Sequence, residues 1–147
     1  MTRSRIILLV EDNEDDIDLT LRAFEKSKMA NEIVVARNGE EGLDYLFARG
    51  PHAGRDPSVM PDVVLLDLKL PKLDGLETLR RIRADPRTRR QPVVILTSSN
   101  EEKDIMTSYD LGANSFLRKP VDFVEFLESA RQLGVYWLTL NQAPPCL

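Results

Sequence analysis

One cysteine, Cys146, and one histidine, His52, are all that the 147 residues offer as thiol or imidazole ligands. A disulfide framework and a zinc site built on cysteines are therefore excluded. A His-ligated hydrolytic metal is excluded with them. Long apolar runs are missing too, so no segment is expected to span a membrane. The basic start Met1-Thr2-Arg3-Ser4-Arg5 leads into an apolar run that stops at Val10 and meets acids. That is too short for a signal peptide. Basic charge is also in deficit. Lys and Arg number 20 against 24 Asp and Glu, for a net charge of −4 and a pI of about 5.1. A binder of nucleic acid through its phosphates would carry the opposite sign. Neither Gly-rich phosphate-loop pattern of nucleotide-binding proteins occurs. A reduced, soluble protein of the cytoplasm is expected.

What is present is ordinary for a globular chain, 42% hydrophobic and 30% charged. A domain of this length buries about two-thirds of its unfolded surface and folds without metal or disulfide support. Five short apolar runs recur at even spacing: Ile6–Val10, Ile33–Ala36, Val63–Leu66, Val93–Leu96 and the weaker Ser115–Leu117. The first four are rich in β-branched residues and do not alternate, as strands buried on both faces do not. Helical spacing lies between them, in Ile17, Leu21 and Phe24, in Leu43 and Phe47, and in Leu76, Leu79 and Ile82. The pairs Ile105 with Tyr109 and Phe123 with Leu127 continue it. Cap signatures with an acid three residues on stand at Asn38, Asp74, Ser99 and Asp122. The alternation predicts an α/β fold, a five-stranded parallel sheet wrapped by helices in flavodoxin-like (βα)5 order 2-1-3-4-5. Residues 1–133 are expected to form this domain. Residues 134–147, with Tyr136, Trp137 and Leu138, form a C-terminal extension, and no output domain is expected after it. Residues 49–61 form a Gly/Pro-rich loop, and Arg83, Arg87, Arg89 and Arg90 read as a solvated basic run.

In such a sheet the carboxyl ends of the strands share one rim. Glu11 and Asp12 follow the first strand, Asp67 the third, Thr97 and Ser98 the fourth, and Lys119 and Pro120 the fifth. Crowded carboxylates either take up protons or hold a cation. Oxygen ligands without His or Cys favour Mg2+. A carboxylate beside Mg2+ and a lysine can attack a phosphoryl group. Taken singly, each residue reads more simply: Asp12 as a helix cap, Thr97 as a loop hydroxyl, Lys119 as a surface lysine, Pro120 as a helix-start proline. Taken together, they read as an aspartyl-phosphate site with Asp67 as acceptor.

The motifs Leu9-Val10-Glu11-Asp12-Asn13, Leu66-Asp67-Leu68-Lys69-Leu70-Pro71, Ile95-Leu96-Thr97-Ser98-Ser99 and Leu117-Arg118-Lys119-Pro120 stand in this order. By them the chain resembles the response-regulator receiver domains of two-component signalling, over about residues 5–133. The resemblance implies Asp67 as phosphoacceptor and Glu11, Asp12, Asp67 and the Lys69 backbone carbonyl as Mg2+ ligands. It implies Thr97 as the switch hydroxyl, Lys119 as the phosphoryl-binding lysine and Phe116 at the position of the switch aromatic. It also implies a cis bond before Pro120. Val35-Ala36-Arg37-Asn38-Gly39, Tyr45-Leu46, the 49–61 loop, Ser108-Tyr109-Asp110-Leu111 and Tyr136-Trp137-Leu138 resemble the small regulators that serve phytochrome-type histidine kinases. The implied partners are a sensor histidine kinase, a downstream protein, and a second copy met through the fourth helix, fifth strand and tail. Nucleic acid and membrane are not expected.

Two other readings compete. A haloacid-dehalogenase-like phosphatase also forms an aspartyl phosphate, but needs an acid two positions after the nucleophile, where this chain has Lys69. It would be an enzyme, whereas a receiver turns over no external substrate. A receiver-like scaffold that is never phosphorylated would bind partners alone; Mg2+ binding separates it. The run Asp12-Asn13-Glu14-Asp15-Asp16 is no calcium loop, because Ile17 and Ala23 stand where Gly and Glu are needed.

Overall fold

A computed structural model describes residues 5–27 and 32–145. The elements alternate as expected: β1 (Ile6–Val10), α1 (Glu14–Ser27), β2 (Glu32–Ala36), α2 (Gly39–Leu46), β3 (Val63–Leu66) and α3 (Gly75–Ala84). They continue with β4 (Val93–Thr97), α4 (Glu102–Asp110), β5 (Ser115–Arg118) and α5 (Phe123–Val135). The five strands are all parallel, in the order β2-β1-β3-β4-β5. This is the flavodoxin-like arrangement.

The lack of alternation in the strands has a direct cause. Successive side chains point to opposite faces, and here both faces are covered. Leu8, Val10, Val64, Leu66 and Ile95 enter one core with Leu43, Leu79 and Ile82 from α2 and α3. Ile7, Leu9, Val63, Leu65 and Val94 enter the other with Ile17 and Phe24 from α1 and Leu133 from α5. Each such side chain stabilises the fold by about 2 kcal/mol through burial alone.

Asn38, Asp74 and Asp122 cap α2, α3 and α5, each accepting the backbone N–H three residues on. Ser99 does not cap α4. That helix starts after Glu101 without a side-chain cap, and the Ser99 hydroxyl donates instead to Asp104 Oδ2 at 2.5 Å.

The C-terminus of α2 has a feature the sequence does not announce. Arg49 N–H bonds to Asp44 O at 2.9 Å and Ala48 N–H to Tyr45 O at 3.2 Å. This is the paired closure that places a left-handed residue just past a helix. Ala48 fills it at φ 51°, where a Cβ costs about 1 kcal/mol. Ala48→Gly is therefore expected to stabilise the protein by about 0.5–1 kcal/mol, read as a higher urea midpoint at unchanged slope. Arg55 then folds the 49–61 loop back onto the same helix end. Its guanidinium donates to Tyr45 O at 2.9 Å and Leu46 O at 3.2 Å and stacks 4.2 Å from the Tyr45 ring centroid.

The basic run is not wholly solvated. Arg83, at the end of α3, donates to Gly112 O at 2.9 Å, Gln91 O at 2.7 Å and Asn114 Oδ1 at 2.9 Å. It ties the α4–β5 turn to the approach of β4. The expected boundary at 133 falls inside α5, which passes into a π-helical turn, Tyr136–Leu140. Leu138 joins the α1–α5 side of the core and Trp137 packs against it. Tyr136 and Leu140 point outward.

Candidate functional site

Three backbone hydrogen bonds set the rim. Glu11 N–H donates to Ala36 O at 2.9 Å, Asp67 N–H to Val10 O at 3.1 Å and Lys119 N–H to Thr97 O at 2.7 Å. Each continues the parallel ladder just beyond a strand, so the three residues inherit the sheet's register. Gly75 seals the floor. A Cβ there would lie 2.7 Å from Leu68 Cα and closer still to the Asp67 carbonyl oxygen. Only glycine lets α3 start this near the Asp67 backbone, and Gly75 N–H bonds to Leu68 O at 2.9 Å.

The side chains converge as expected from strand ends. One oxygen each from Glu11, Asp12 and Asp67 can lie within 4.8 Å of the others. Glu11 and Asp67 are buried and Asp12 is exposed. Glu11 Oε2 accepts from the backbone N–H groups of Asp12 (3.1 Å) and Asn13 (3.2 Å). Asp67 Oδ1 accepts from Leu68 N–H at 2.8 Å. Lys119, itself buried, donates to Glu11 Oε1 at 2.5 Å and Asp67 Oδ2 at 3.2 Å.

A third acceptor for Lys119 is a residue the sequence reading missed. Asp16, in the first turn of α1, takes an Nζ hydrogen bond at 2.8 Å. Its signal was diluted by the acids around it, since Glu14, Asp15 and Asp18 lie on the same helix.

Thr97 is fully buried on the adjacent strand end. Among the described residues its hydroxyl makes no hydrogen bond to Asp67 or Lys119; Ser99 N–H approaches it at 3.4 Å. Phe116 is partly buried against the α2–α3 side of the core. Lys69 lies two residues past Asp67 with an exposed side chain. The bond before Pro120 is trans, as are all those among the described residues. This corrects the expected cis form. Trans is the lower-energy isomer of an X-Pro bond by about 0.5–1 kcal/mol, and with it Lys119 already reaches all three carboxylates.

The electrostatics follow from crowding. Burial pushes the Glu11 carboxyl up to about 7, and the charge of Asp67 adds to this against the hydrogen bond from Lys119. Burial opposes the Lys119 ammonium, but hydrogen bonds to Asp16 and Glu11 and the charge of Asp67 outweigh it and hold the lysine charged. One cation thus serves several acids. The donor set, all oxygen and in excess negative charge, suits a divalent cation.

A pH dependence follows. Binding a cation needs Glu11 ionised, so binding releases a proton near neutrality. Affinity for a divalent cation is expected to fall about three- to tenfold per pH unit as the pH drops below 7. In the metal-free protein the sign is reversed. The raised Glu11 contributes stability that is full below its unfolded value and lost as the pH rises through about 7. Calorimetric titration at pH 6 and pH 8 in buffers of different ionisation enthalpy checks both the affinity and the proton released.

Comparison with known proteins places this geometry. The response regulator receiver domain family matches residues 7–131. The cyanobacterial phytochrome response regulator RcpA, solved in its phosphorylated form, is 38% identical, with 97% of this chain and 100% of that chain covered and a TM-score of 0.90. Response regulator Rcp1 of Synechocystis, solved in a Mn2+-bound form, is 33% identical, with 96% and 99% covered and a TM-score of 0.88. The bacteriophytochrome response regulator AtBRR is 53% identical, with 96% and 100% covered and a TM-score of 0.75. With the acids and the lysine gathered at the ends of β1, β3 and β5, the chain belongs to the response-regulator receiver domain family.

Proposed function

We propose that this chain is a phosphoacceptor switch, charged by a sensor histidine kinase of the phytochrome type. The observation that carries the reading is the Asp67 carboxylate, pinned through Oδ1 to Leu68 N–H while Oδ2 faces the Lys119 ammonium. Oδ2 attacks the phosphorus of a phosphohistidine. The O–P bond forms as the N–P bond breaks, and its electron pair stays on the imidazole nitrogen. Glu11, Asp12, Asp67 and the Lys69 carbonyl would hold Mg2+, which would supply positive charge to the phosphoryl oxygens. Lys119 and the Thr97 hydroxyl donate to those oxygens. Thr97 moving inward leaves room for Phe116, and the face of α4 and β5 changes shape. The weak anchoring of α4 supports this, since Ser108 is its only buried residue. Attack of water at phosphorus resets the switch. No turnover of an external substrate is part of this reading.

The output is a protein contact in the cytoplasm, and a homodimer through α4, β5 and the tail fits the same surface. Exposed Met106, Tyr109, Tyr136 and Leu140 support the dimer. No described helix is long and apolar enough to cross a membrane. Sedimentation velocity tests the dimer; a monomer at every concentration, with or without phosphoryl, would remove it.

The central test is incubation with a small acyl phosphate, with Mg2+ or with chelator, read as intact mass. One phosphoryl group is expected, only with Mg2+, and released by hydroxylamine as an acyl phosphate is. No addition from the small donor or from a phosphorylated kinase domain overturns the reading.

A further inference from the structure

The Lys119 ammonium has three N–H donors, and all three are used. They go to Glu11 Oε1 at 2.5 Å, Asp16 Oδ2 at 2.8 Å and Asp67 Oδ2 at 3.2 Å. Two of these acceptors belong to the rim already described. Asp16 does not. It comes from α1, and its carboxyl group is outside the cluster of Glu11, Asp12 and Asp67.

Its position explains how it is free to reach inward. Asn13 Oδ1 accepts from Asp16 N–H at 3.0 Å, which makes Asn13 the cap of α1 and Asp16 the third helical residue. An acid there ordinarily folds back onto the N–H of the cap residue. Here that N–H is taken by Glu11 Oε2 at 3.2 Å. Glu11 thus performs the reciprocal half of the cap, and Asp16 turns to Lys119. The side chain of Asp16 is only partly exposed, at 25%, while its partner is 8% exposed. A charge-assisted hydrogen bond in such a place is stronger than a surface ion pair.

Phosphorylation takes the charge from Asp67 Oδ2 and frees one donor, but a phosphoryl oxygen must still compete with Glu11 and Asp16 for an ammonium that they hold at 2.5 and 2.8 Å. We propose that Asp16 is a positioning residue that competes with the phosphoryl group for Lys119, and so sets how tightly the receiver holds its phosphorylated state. Asp16 touches neither the phosphoryl group nor the cation; it acts through Lys119. The inference rests on the phosphoacceptor reading above and extends it to the regulation of that site.

The test is equilibrium binding of trifluoroberyllate, a phosphoryl mimic, at saturating Mg2+, by fluorine NMR and calorimetry. Asp16→Asn keeps the shape but removes the competing charge, and is expected to bind the mimic about tenfold more tightly than the unaltered protein. Asp16→Glu restores a charged acceptor and is expected to return most of the way. Asp15→Asn removes the same charge from the same turn without touching Lys119, and is expected to change binding less than about twofold. An unchanged affinity in both Asp16→Asn and Asp16→Ala overturns the proposal. So does an equal gain in Asp15→Asn, which would make the effect one of overall charge. Thermal melts identify a variant that fails to fold, and Asp16→Asn and Asp16→Ala stand in for each other in that case. If the unaltered protein binds Mg2+ but neither the mimic nor a phosphoryl group, the phosphoacceptor reading fails and this one falls with it. If it binds the mimic and the Asp16 variants match it, only the present inference fails.

Discussion

Asp67→Asn is expected to take up no phosphoryl group at all, from a small donor or from a kinase, at any Mg2+ concentration. An amide oxygen is too poor a nucleophile to displace the donor, and the site offers no second carboxylate in the same place. Glu11 is buried with both oxygens committed, Oε2 to two backbone N–H groups and Oε1 to Lys119. The loss should be chemical and not a failure to fold. The amide oxygen of the variant can still accept from Leu68 N–H, as Asp67 Oδ1 does, and one of the crowded charges is gone. Glu11 loses the neighbouring charge that helps to raise it from 4.5 to about 7, so it ionises at lower pH. The urea midpoint is expected to correspond to a stability within about 1 kcal/mol of the unaltered protein. Intact mass after labelling, beside the urea titration, checks both halves. Labelling of the variant would move the acceptor elsewhere on the rim.

Lys119→Met is expected to have the larger effect on stability. Methionine fills a similar volume but leaves buried acids without their cation. Removing one partner of a buried ion pair costs about 3–5 kcal/mol, and that loss is expected near neutral pH without divalent metal. The pH dependence has a definite sign. Glu11 loses the hydrogen bond and the charge with which Lys119 holds it down, so its folded value rises further above the unfolded one. A raised acid is stabilising below its unfolded value and loses that contribution as the pH climbs through its folded value. The deficit against the unaltered protein should therefore be largest at about pH 8 and smaller at about pH 5.5, and Mg2+ should restore part of it. Urea titrations at the two pH values, with Mg2+ and with chelator, measure this. The same variant should still accept some phosphoryl group, since Asp67 and the acids are intact, but with a weakened response at the α4–β5 face. A normal response would take the switching role away from Lys119.

How much of this was legible beforehand depends on the distance over which each signal acts. Val63–Leu66 shows its two-sided burial in four consecutive apolar residues, so the sheet could be read. The caps at Asn38, Asp74 and Asp122 are complete within four residues. Ser99 carries the same pattern, but its hydroxyl is drawn to Asp104 and α4 opens at Glu102 instead. Glu11, Asp12, Asp67 and Lys119 were legible because a parallel sheet gathers its strand ends. Asp16 was not, because it reaches a residue 103 positions away and looks locally like Asp15 or Asp18. Arg83 looked solvated for the same reason. Its partners Gly112 and Asn114 lie 29 and 31 residues on and become neighbours only when β4 and β5 pair. At Pro120 the two isomers differ by only about 0.5–1 kcal/mol, so the local sequence does not decide between them.

The tail crosses the molecule at the end opposite the acids, which makes it a built-in optical reporter. Trp137 is the chain's one tryptophan. Its ring meets Tyr136 edge-on at 5.1 Å and rests against the α1–α5 side of the core. Trp137 and Leu138 also share a cleft with Arg5 and Asp62, at the amino ends of β1 and β3. Emission from this single indole therefore reads the docking of the last helical turn from the far pole of the sheet. A change in its emission when Asp67 is phosphorylated would show that the rim and the tail are coupled, within one copy or through a second.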